Sequence, residues 1–152
     1  MSVVCPFCGI VSGKAPASIV YEDATVVVFM DLNPASIGHT LVVPREHWEN
    51  IYEVPENVLA DLFSVVKRVS AAVKKTVGAD GISILQLNGR AAGQMVMHFH
   101  VHVIPRIRKD AISKALEAMI GHQGFEKPER RDLDETAQKI RENLRKVRLP
   151  NK

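Results

Sequence analysis

The spacing of apolar side chains along the chain predicts an α+β domain built on one sheet. Runs of Val, Ile and Phe bounded by Gly, Pro, Asn and Asp are typical of strands, whereas apolar residues at spacings of three and four are typical of helices. The predicted strands are residues 19–23, 24–32, 39–44, 82–88 and 97–106. Because these strands follow one another with one long helix inserted before the last pair, we expect a five-stranded antiparallel sheet with that helix covering one face.

Two stretches carry a helical pattern. Residues 54–77 place apolar side chains on one stripe, and Gly78 follows as a stop signal. Residues 132–147 begin with acidic and end with basic side chains, which suits the dipole of a C-terminal helix. Residues 106–131 are ambiguous, with a helical pattern up to residue 120 and a loop-like stretch after it.

Length and composition indicate one soluble globular domain. The 152 residues are 46% hydrophobic and 24% charged, so we expect a single domain over the whole chain. The net charge of +3 lies largely in the C-terminal tail and is not interleaved with aromatic residues, which argues against a nucleic-acid partner. The longest apolar run, residues 24–30, is too short to cross a membrane. The start of the chain lacks the pattern of a secretory signal, so we expect a cytoplasmic protein.

Three histidines stand at every second position of "MHFHVHVIPR". In a strand, side chains alternate between faces at about 3.3 Å per residue, so His98, His100 and His102 would share one face. Phe99 and Val101 would then point the other way, into a core. Three histidines in register indicate a shared chemical task.

Two chemical tasks could explain the three histidines, and they fit the predicted strand geometry unequally. The first is a catalytic zinc, but the outer two Cβ atoms would lie about 13 Å apart, too far for Zn–N bonds of about 2.0–2.1 Å. The second is attack on phosphorus by the central imidazole, with its neighbours binding oxygens. The preceding loop "GRAAGQ" favours the second task, because its small residues admit an anion to the backbone and Gln94 and Asn88 can donate hydrogen bonds.

Both cysteines occur together, as Cys5 and Cys8 in "CPFC". In a reducing compartment this spacing is typical of a metal site or a redox pair rather than a structural disulfide. A metal site needs two more ligands from elsewhere in the chain.

The segment "GQMVMHFHVHVIPR" resembles the H-x-H-x-H signature of the histidine triad, or HIT, family. The segments "CPFCGIVSGKAPASIVYED", "VFMDLNPASIGHTLVVPREHWENI" and "NGRAAGQ" follow in family-like order and spacing, so the resemblance covers roughly residues 5–106. It implies the HIT fold and a homodimer whose sheets join edge to edge. It also implies hydrolysis or transfer at the α-phosphate of a purine nucleotide derivative.

The resemblance also implies roles for individual residues. Among the triad histidines, His100 matches the nucleophile that forms a nucleotidyl-histidine intermediate, and His102 matches the histidine that contacts the phosphate. Gln94 and Asn88 match loop residues near the phosphate. The other matched positions are Asp31 for the ribose hydroxyls, Leu32, Phe7 and Ile10 for the base, and His39 beside the triad.

In zinc-bearing members of the superfamily, a CxxC joins two histidines. The matching positions here are Cys5, Cys8, His47 and His98, which implies a closed structural Zn²⁺ site. The alternative is a reduced cysteine pair, with His98 hydrogen-bonded to His39.

One departure leaves the substrate open. Hint-type phosphoramidases carry a Ser after "GQ", and this chain has Met95, which offers no hydroxyl. The "IPR" ending and the extended segment after it resemble Fhit-type dinucleoside-polyphosphate hydrolases, which commonly lack the CxxC. A nucleotide- or zinc-binding adaptor with incidental turnover is the alternative to an enzyme.

Overall fold

The computed structural model describes residues 5–108, 110 and 129–144. The strands are β1 (Ile19–Glu22), β2 (Val26–Met30), β3 (Thr40–Pro44), β4 (Gly81–Leu85) and β5 (Val101–Arg106). The helices are α1 (Pro6–Val11), α2 (Glu56–Val77) and α3 (Arg130–Leu144), with a 3-10 turn at Arg90–Ala92. The described residues group into two compact units, one within residues 1–110 and one within residues 111–152.

The five strands form one sheet in the order β1-β2-β3-β5-β4. Every neighbouring pair is antiparallel, which confirms the predicted α+β class and the five-stranded antiparallel sheet. The strand bounds differ from the predicted ones by a few residues at the ends, where strands give way to turns. The predicted single domain over the whole chain stays a prediction.

The two faces of the sheet are covered by different helices. Val26 and Val28 of β2 pack into a core with the apolar stripe of α2, as the helical pattern predicted. Val27 and Phe29 point to the opposite face and pack in a smaller core with Phe7 of α1. This alternation follows from the pleat of a strand.

The histidine segment is only partly a strand, so the prediction of one strand through residues 97–106 is wrong. β5 begins at Val101, and His98 and His100 precede it. The Phe99 amide donates its hydrogen bond to the Trp48 carbonyl at 2.6 Å instead of joining a ladder. The predicted division of faces is nevertheless confirmed for Phe99 and Val101, which are fully buried in the α2 core.

The helix ends follow the predicted signals. Gly78 ends α2 in the left-handed conformation at φ 66°, and the amide of the next residue, Ala79, donates to the Lys74 carbonyl at 3.0 Å. The C-terminal helix is α3, and the predicted residues 145–147 lie outside the described part of the chain, as do residue 109 and the ambiguous stretch 111–128. No helix within the described residues is long and apolar enough to span a membrane.

Candidate nucleotide site and metal centre

A cavity of about 510 Å³ opens on the α1 face of the sheet. Its walls are mainly apolar, and the polar side chains on them include an acid and three imidazoles. Seven predicted site residues line it: Phe7, Ile10, Asp31, Leu32, His39, His100 and His102. The predicted residues Gln94, Asn88 and His98 are not among the lining residues.

His100 is held in one tautomer by the backbone. Its Nδ1 lies 2.7 Å from the carbonyl oxygen of His98, and a carbonyl only accepts, so Nδ1 carries the hydrogen. In the neutral ring, Nε2 then keeps its lone pair. His100 is 6% exposed, and the edge-to-face ring of Phe7 lies 5.2 Å from it between centroids. His100 is therefore a buried imidazole whose orientation is fixed and whose Nε2 lone pair is available for nucleophilic attack.

The tautomer of His102 is fixed through His39. The Ala35 amide donates to Nδ1 of His39 at 3.0 Å, so the neutral His39 ring carries its hydrogen on Nε2. That Nε2 lies 2.9 Å from Nδ1 of His102, which therefore accepts. Neutral His102 is left with its hydrogen on Nε2. In the neutral rings, Nε2 of His100 therefore carries a lone pair, whereas Nε2 of His102 carries a hydrogen.

Burial keeps these rings neutral. Desolvation lowers the pKa of His39, His98 and His100 from the ordinary value. For His102, desolvation followed by the neighbouring His100 and His39 rings lowers the pKa to about 4. The tautomers derived above for neutral imidazoles therefore apply near pH 7.

Asp31 stands at the end of β2, where the chain turns into the loop that carries Ala35. One of its oxygens accepts the Asn33 amide at 2.8 Å. The other, Oδ2, lies 3.5 Å from Nε2 of His39 and 4.0 Å from Nδ1 of His102. The carboxylate therefore borders both the cavity and the histidine pair.

The amides of Gln94 and Asn88 are engaged inside the protein. Gln94, which is 1% exposed, accepts the Gly89 amide at 2.7 Å and donates to the carbonyls of Glu49 and Val96. Asn88 accepts the Ile51 amide and donates to Gln86. Both side chains therefore stabilise the loop through internal hydrogen bonds and do not donate into the cavity.

The two cysteines and two histidines converge behind the cavity. The ligand atoms of Cys5, Cys8, His47 and His98 all lie within 4.8 Å of one another. Nδ1 of His98 is 3.5 Å from Sγ of Cys5 and 3.6 Å from Sγ of Cys8. Nδ1 of His47 is 3.3 Å from Sγ of Cys8. His98 does not meet His39, which contacts His102 instead, so the alternative pairing for a reduced cysteine pair is wrong.

This donor set fits zinc. Zn–S bonds of about 2.3 Å and Zn–N bonds of about 2.0–2.1 Å give a tetrahedron whose S···N edges are about 3.5–3.6 Å long. The three S···N distances in the structure, 3.5, 3.3 and 3.6 Å, lie within about 0.3 Å of that length. The other nitrogen of His98, Nε2, donates to the Pro44 carbonyl at 2.9 Å, which leaves Nδ1 as the ligand atom. Burial, and then the neighbouring Cys5 thiol, raise the pKa of Cys8, so a bound cation is needed to hold it as a thiolate.

Some parts of the site left no signal in the sequence. The groups that set the tautomers are the backbone amide of Ala35, which any residue except proline supplies, and the carbonyls of Pro44 and His98, which every residue supplies. Leu85 of β4 lines the cavity opposite His102, and its position depends on the register between β4 and β5. The period-2 pattern of the two strands predicts the face but not that register.

The three histidines at alternate positions, His98, His100 and His102, of which the last two line the cavity, are the signature of the histidine triad class of proteins. Residues 12–109 match the family model described as the HIT domain. An uncharacterized HIT-like protein of Methanocaldococcus jannaschii is 47% identical over 107 residues, covering 70% of this chain and 82% of that protein. The chain belongs to the HIT family.

Two relatives have names that state an activity. The adenosine 5'-monophosphoramidase hnt1 of Schizosaccharomyces pombe is 40% identical over 102 residues, covering 67% of this chain and 74% of that protein. The adenylylsulfatase HINT3 of Arabidopsis thaliana is 40% identical over 108 residues, covering 71% of this chain and 55% of that protein.

Solved structures share the fold. The Streptococcus mutans protein SMU.412c superposes with a TM-score of 0.82 at 36% identity, covering 95% of this chain and 87% of that chain. A zinc-bound histidine triad family protein of Mycobacterium smegmatis superposes with a TM-score of 0.69 at 39% identity, covering 73% of this chain and 81% of that chain.

Proposed function

We propose that this protein is a hydrolase or transferase that cleaves purine nucleotide derivatives at the α-phosphate through a covalent intermediate on His100. The observation that carries the proposal is the 2.7 Å hydrogen bond from Nδ1 of His100 to the His98 carbonyl, which leaves Nε2 of a cavity residue as a nucleophile. The names of the Schizosaccharomyces and Arabidopsis relatives, both acting on adenosine phosphate derivatives, support it.

The reaction proceeds in two displacements. The lone pair of His100 Nε2 forms a bond to the α-phosphorus, and the bond to the leaving group breaks with its electron pair on the leaving atom. A nitrogen or oxygen leaving group takes up one proton from water, because Met95 at the cavity has no hydroxyl to supply it. Water then attacks the phosphorus, releases His100 with its lone pair restored, and returns one proton to solvent.

The other cavity residues bind and orient the substrate. His102 donates its Nε2 hydrogen to a phosphate oxygen, and loss of one such donor typically lowers kcat by about 10²–10³. Asp31 accepts from the ribose hydroxyls, while Phe7, Ile10 and Leu32 contact the base. His39 acts as a positioning residue, because it fixes the tautomer of His102 and does not need to touch substrate. Gln94 and Asn88 act by bracing the loop.

Cys5, Cys8, His47 and His98 would hold a structural zinc ion. A closed set of two thiolates and two imidazoles leaves no open position for substrate, so the metal supplies stability and not Lewis-acid chemistry. The zinc-bound Mycobacterium smegmatis structure supports this assignment.

A homodimer through the β4 edge completes the proposal. β4 and β1 are the outer strands of the sheet. The pairing of β1 is interrupted by a register shift between Ile19 and Tyr21, and such a bulge blunts an edge. β4 pairs in regular register along its length, so it is the edge better suited to a second copy.

The test compares wild type with His100→Gln, which keeps a side chain of similar length without a nucleophilic nitrogen. Both proteins are incubated with adenosine 5'-phosphoramidate and with a diadenosine polyphosphate, and turnover and intact mass are measured. We expect cleavage and a transient adenylyl adduct in wild type, and neither in the variant at unchanged thermal stability. Equal turnover without an adduct in the two proteins would exclude His100 as the nucleophile. No turnover but intact nucleotide binding would favour an adaptor.

A further inference from the structure

The cavity extends past the histidines toward the β4 edge of the sheet. It is lined by Phe29 of β2 at one end and Leu85 of β4 at the other, three strand spacings apart in the sheet order, or roughly 14 Å. His102 lies between them, with Leu41 of β3 as its cross-strand partner on one side and Leu85 on the other. The phosphate-binding region therefore has a cavity wall on both sides.

The β3 side is the place for the nucleoside. It is closed by α1 through Phe7 and Ile10, and it is bordered by Asp31, the one carboxylate among the described residues that line the cavity. A ribose needs that acceptor, and a flat base needs the closed apolar wall. Whatever is attached to the other side of the α-phosphate must then extend toward β4.

The β4 side is apolar and open. Leu85 is 42% exposed and Met95 is 82% exposed, and Leu87 lies between them along the chain. Leu87 also packs against the loop, with Cδ1 3.6 Å from the position of a Cβ at Gly93. Among the described residues, no Lys or Arg lines any part of the cavity.

We infer that Leu85, Leu87 and Met95 form a subsite for an uncharged, apolar leaving group, and that Met95 sets its specificity. This inference rests on the proposed function and names its substrate class: a nucleoside phosphoramidate or ester of an apolar amine or alcohol. Methionine suits such a role because its flexible thioether adapts to apolar groups of different shape.

The same walls disfavour a polyphosphate as leaving group. Each further phosphate brings negative charge, and moving a charge from water to an apolar wall is costly unless a partner neutralises it. Among the described residues that line the cavity, the fixed charge is the carboxylate of Asp31, which repels it. Of the two substrate classes that the sequence left open, the structure favours the phosphoramidate over the dinucleoside polyphosphate.

A second copy at the β4 edge is compatible with the subsite. Residues two apart on a strand share a face, so Leu85 and Ser83 face the cavity side whereas Ile84 and Ile82 face the α2 side. Edge pairing uses the backbone groups of β4 in the plane of the sheet. The Leu85 side chain therefore remains available to a leaving group.

The experiment uses two adenosine 5'-phosphoramidates whose leaving amines, benzylamine and 2-aminoethanol, have similar basicity. Because amines of similar basicity have similar leaving-group ability, the ratio of the two kcat/KM values reports the contacts between the protein and the leaving group. Burial of a phenyl ring against this wall predicts a ratio of about 10 or more in favour of benzylamine. Diadenosine triphosphate is expected to be the poorest of the three substrates.

Variants assign the preference to Met95. Met95→Ala is expected to lower the benzylamine to aminoethanol ratio by about 3- to 5-fold, since it removes a share of the apolar contact. Met95→Lys is expected to lower it further and to raise the relative rate on diadenosine triphosphate. Ile37→Ala is the matched control, because Ile37 is an apolar side chain of similar exposure (87%) that does not line the cavity, and its ratio should equal that of wild type.

The outcomes separate this inference from the proposed function. Equal kcat/KM for the two amidates, an unchanged ratio in Met95→Ala, or fastest cleavage of diadenosine triphosphate would overturn the subsite. If unsubstituted adenosine 5'-phosphoramidate gives a His100-dependent adduct in the same experiment, the proposed function stands in each of those cases. If no substrate yields an adduct or turnover in wild type, the proposed function itself fails.

Discussion

Removal of the metal centre should open the base side of the cavity while leaving the histidine chemistry in place. Cys5 and Cys8 bracket Phe7, whose ring packs against both Phe29 and His100. Helix α1 has only six residues and no side-chain cap at its N-terminus, whereas an isolated helix needs about 12–15 residues to be even marginally stable. Its position therefore depends on the metal ligands and on a few apolar contacts.

The size of the effect follows from the surface that α1 offers to a base. If Phe7 and Ile10 together bury roughly 80 Å² of apolar surface with the nucleoside, at about 25 cal/mol per Å² their loss costs about 2 kcal/mol. That free energy corresponds to about a 30-fold rise in Kd for a nucleoside monophosphate. The hydrogen bonds from His100 to the His98 carbonyl and from Ala35 to His39 do not involve α1, so kcat should change less than KM.

The perturbations are a zinc chelator and, separately, Cys8→Ser. Metal content, Kd for adenosine monophosphate, and hydrogen exchange of the α1 amides are measured on the same samples. In the intact helix the Gly9 and Ser12 amides donate to the carbonyls of Cys5 and Cys8, so their protection reports α1 directly.

The matched control for the metal experiment is Ser12→Ala, at the end of the same helix. It removes only an exposed hydroxyl that donates to the Gly9 carbonyl at 3.2 Å. We expect wild-type metal content and affinity in this variant. If metal-free protein keeps both nucleotide affinity and amide protection in α1, the argument that the metal holds the cavity wall is refuted.

Three further predictions concern the fold and the histidine pair. Gly38→Ala should cost about 1–3 kcal/mol of unfolding free energy, because the φ of Gly38 is 92° and a Cβ there would lie 2.9 Å from Val77 Cγ1. The control Gly13→Ala, at φ 71° with open space around the Cβ, should cost about 1 kcal/mol. Equal denaturant midpoints for the two variants would contradict this prediction. Burial is the largest single effect on Asp23 and opposes its ionisation, but the hydrogen bonds to its carboxylate together outweigh burial and lower its pKa to about 2. Because the folded pKa is below the unfolded one, this stabilisation is present above about pH 4 and is lost between pH 4 and 2. Asp23→Asn should therefore lower the free energy of unfolding by about 1 kcal/mol at pH 7 after solvent screening, and the two proteins should become equally stable at low pH. A difference in stability that does not change with pH would exclude the carboxylate as its cause. His39→Phe should lower kcat by about 10-fold or more with a smaller change in KM, since it frees the His102 tautomer, and His39→Gln, which retains a donor, should recover part of the loss.

The sequence predicted the fold well because the strands and the covering helix follow from the periodicity of apolar residues. The alternation along the histidine segment predicted that Phe99 and Val101 enter the core, and the stripe on α2 identified the helix that covers them. The β5 start was predicted too early, because strand propensity cannot reveal that Phe99 pairs with the carbonyl of Trp48.

The engagement of Gln94 could not be predicted either. An amide that can donate to phosphate can equally donate to carbonyls, and only the folded loop shows that Glu49 and Val96 are close enough to take its hydrogens. The register that brings Leu85 opposite His102 is likewise a tertiary property. Residue type indicated what chemistry was available, and the backbone path decided where it was used.

Backbone groups determine which ring nitrogen of three of the site histidines carries the hydrogen. The Ala35 amide, the Pro44 carbonyl and the His98 carbonyl select which nitrogen of His39, His98 and His100 carries hydrogen. Point mutation exchanges side chains but leaves these groups present, except where proline would remove the amide at position 35. Homologous sequences can therefore diverge at positions 35 and 44 while inheriting the same proton placement, and a designer who grafts only the histidines onto another scaffold will lose it.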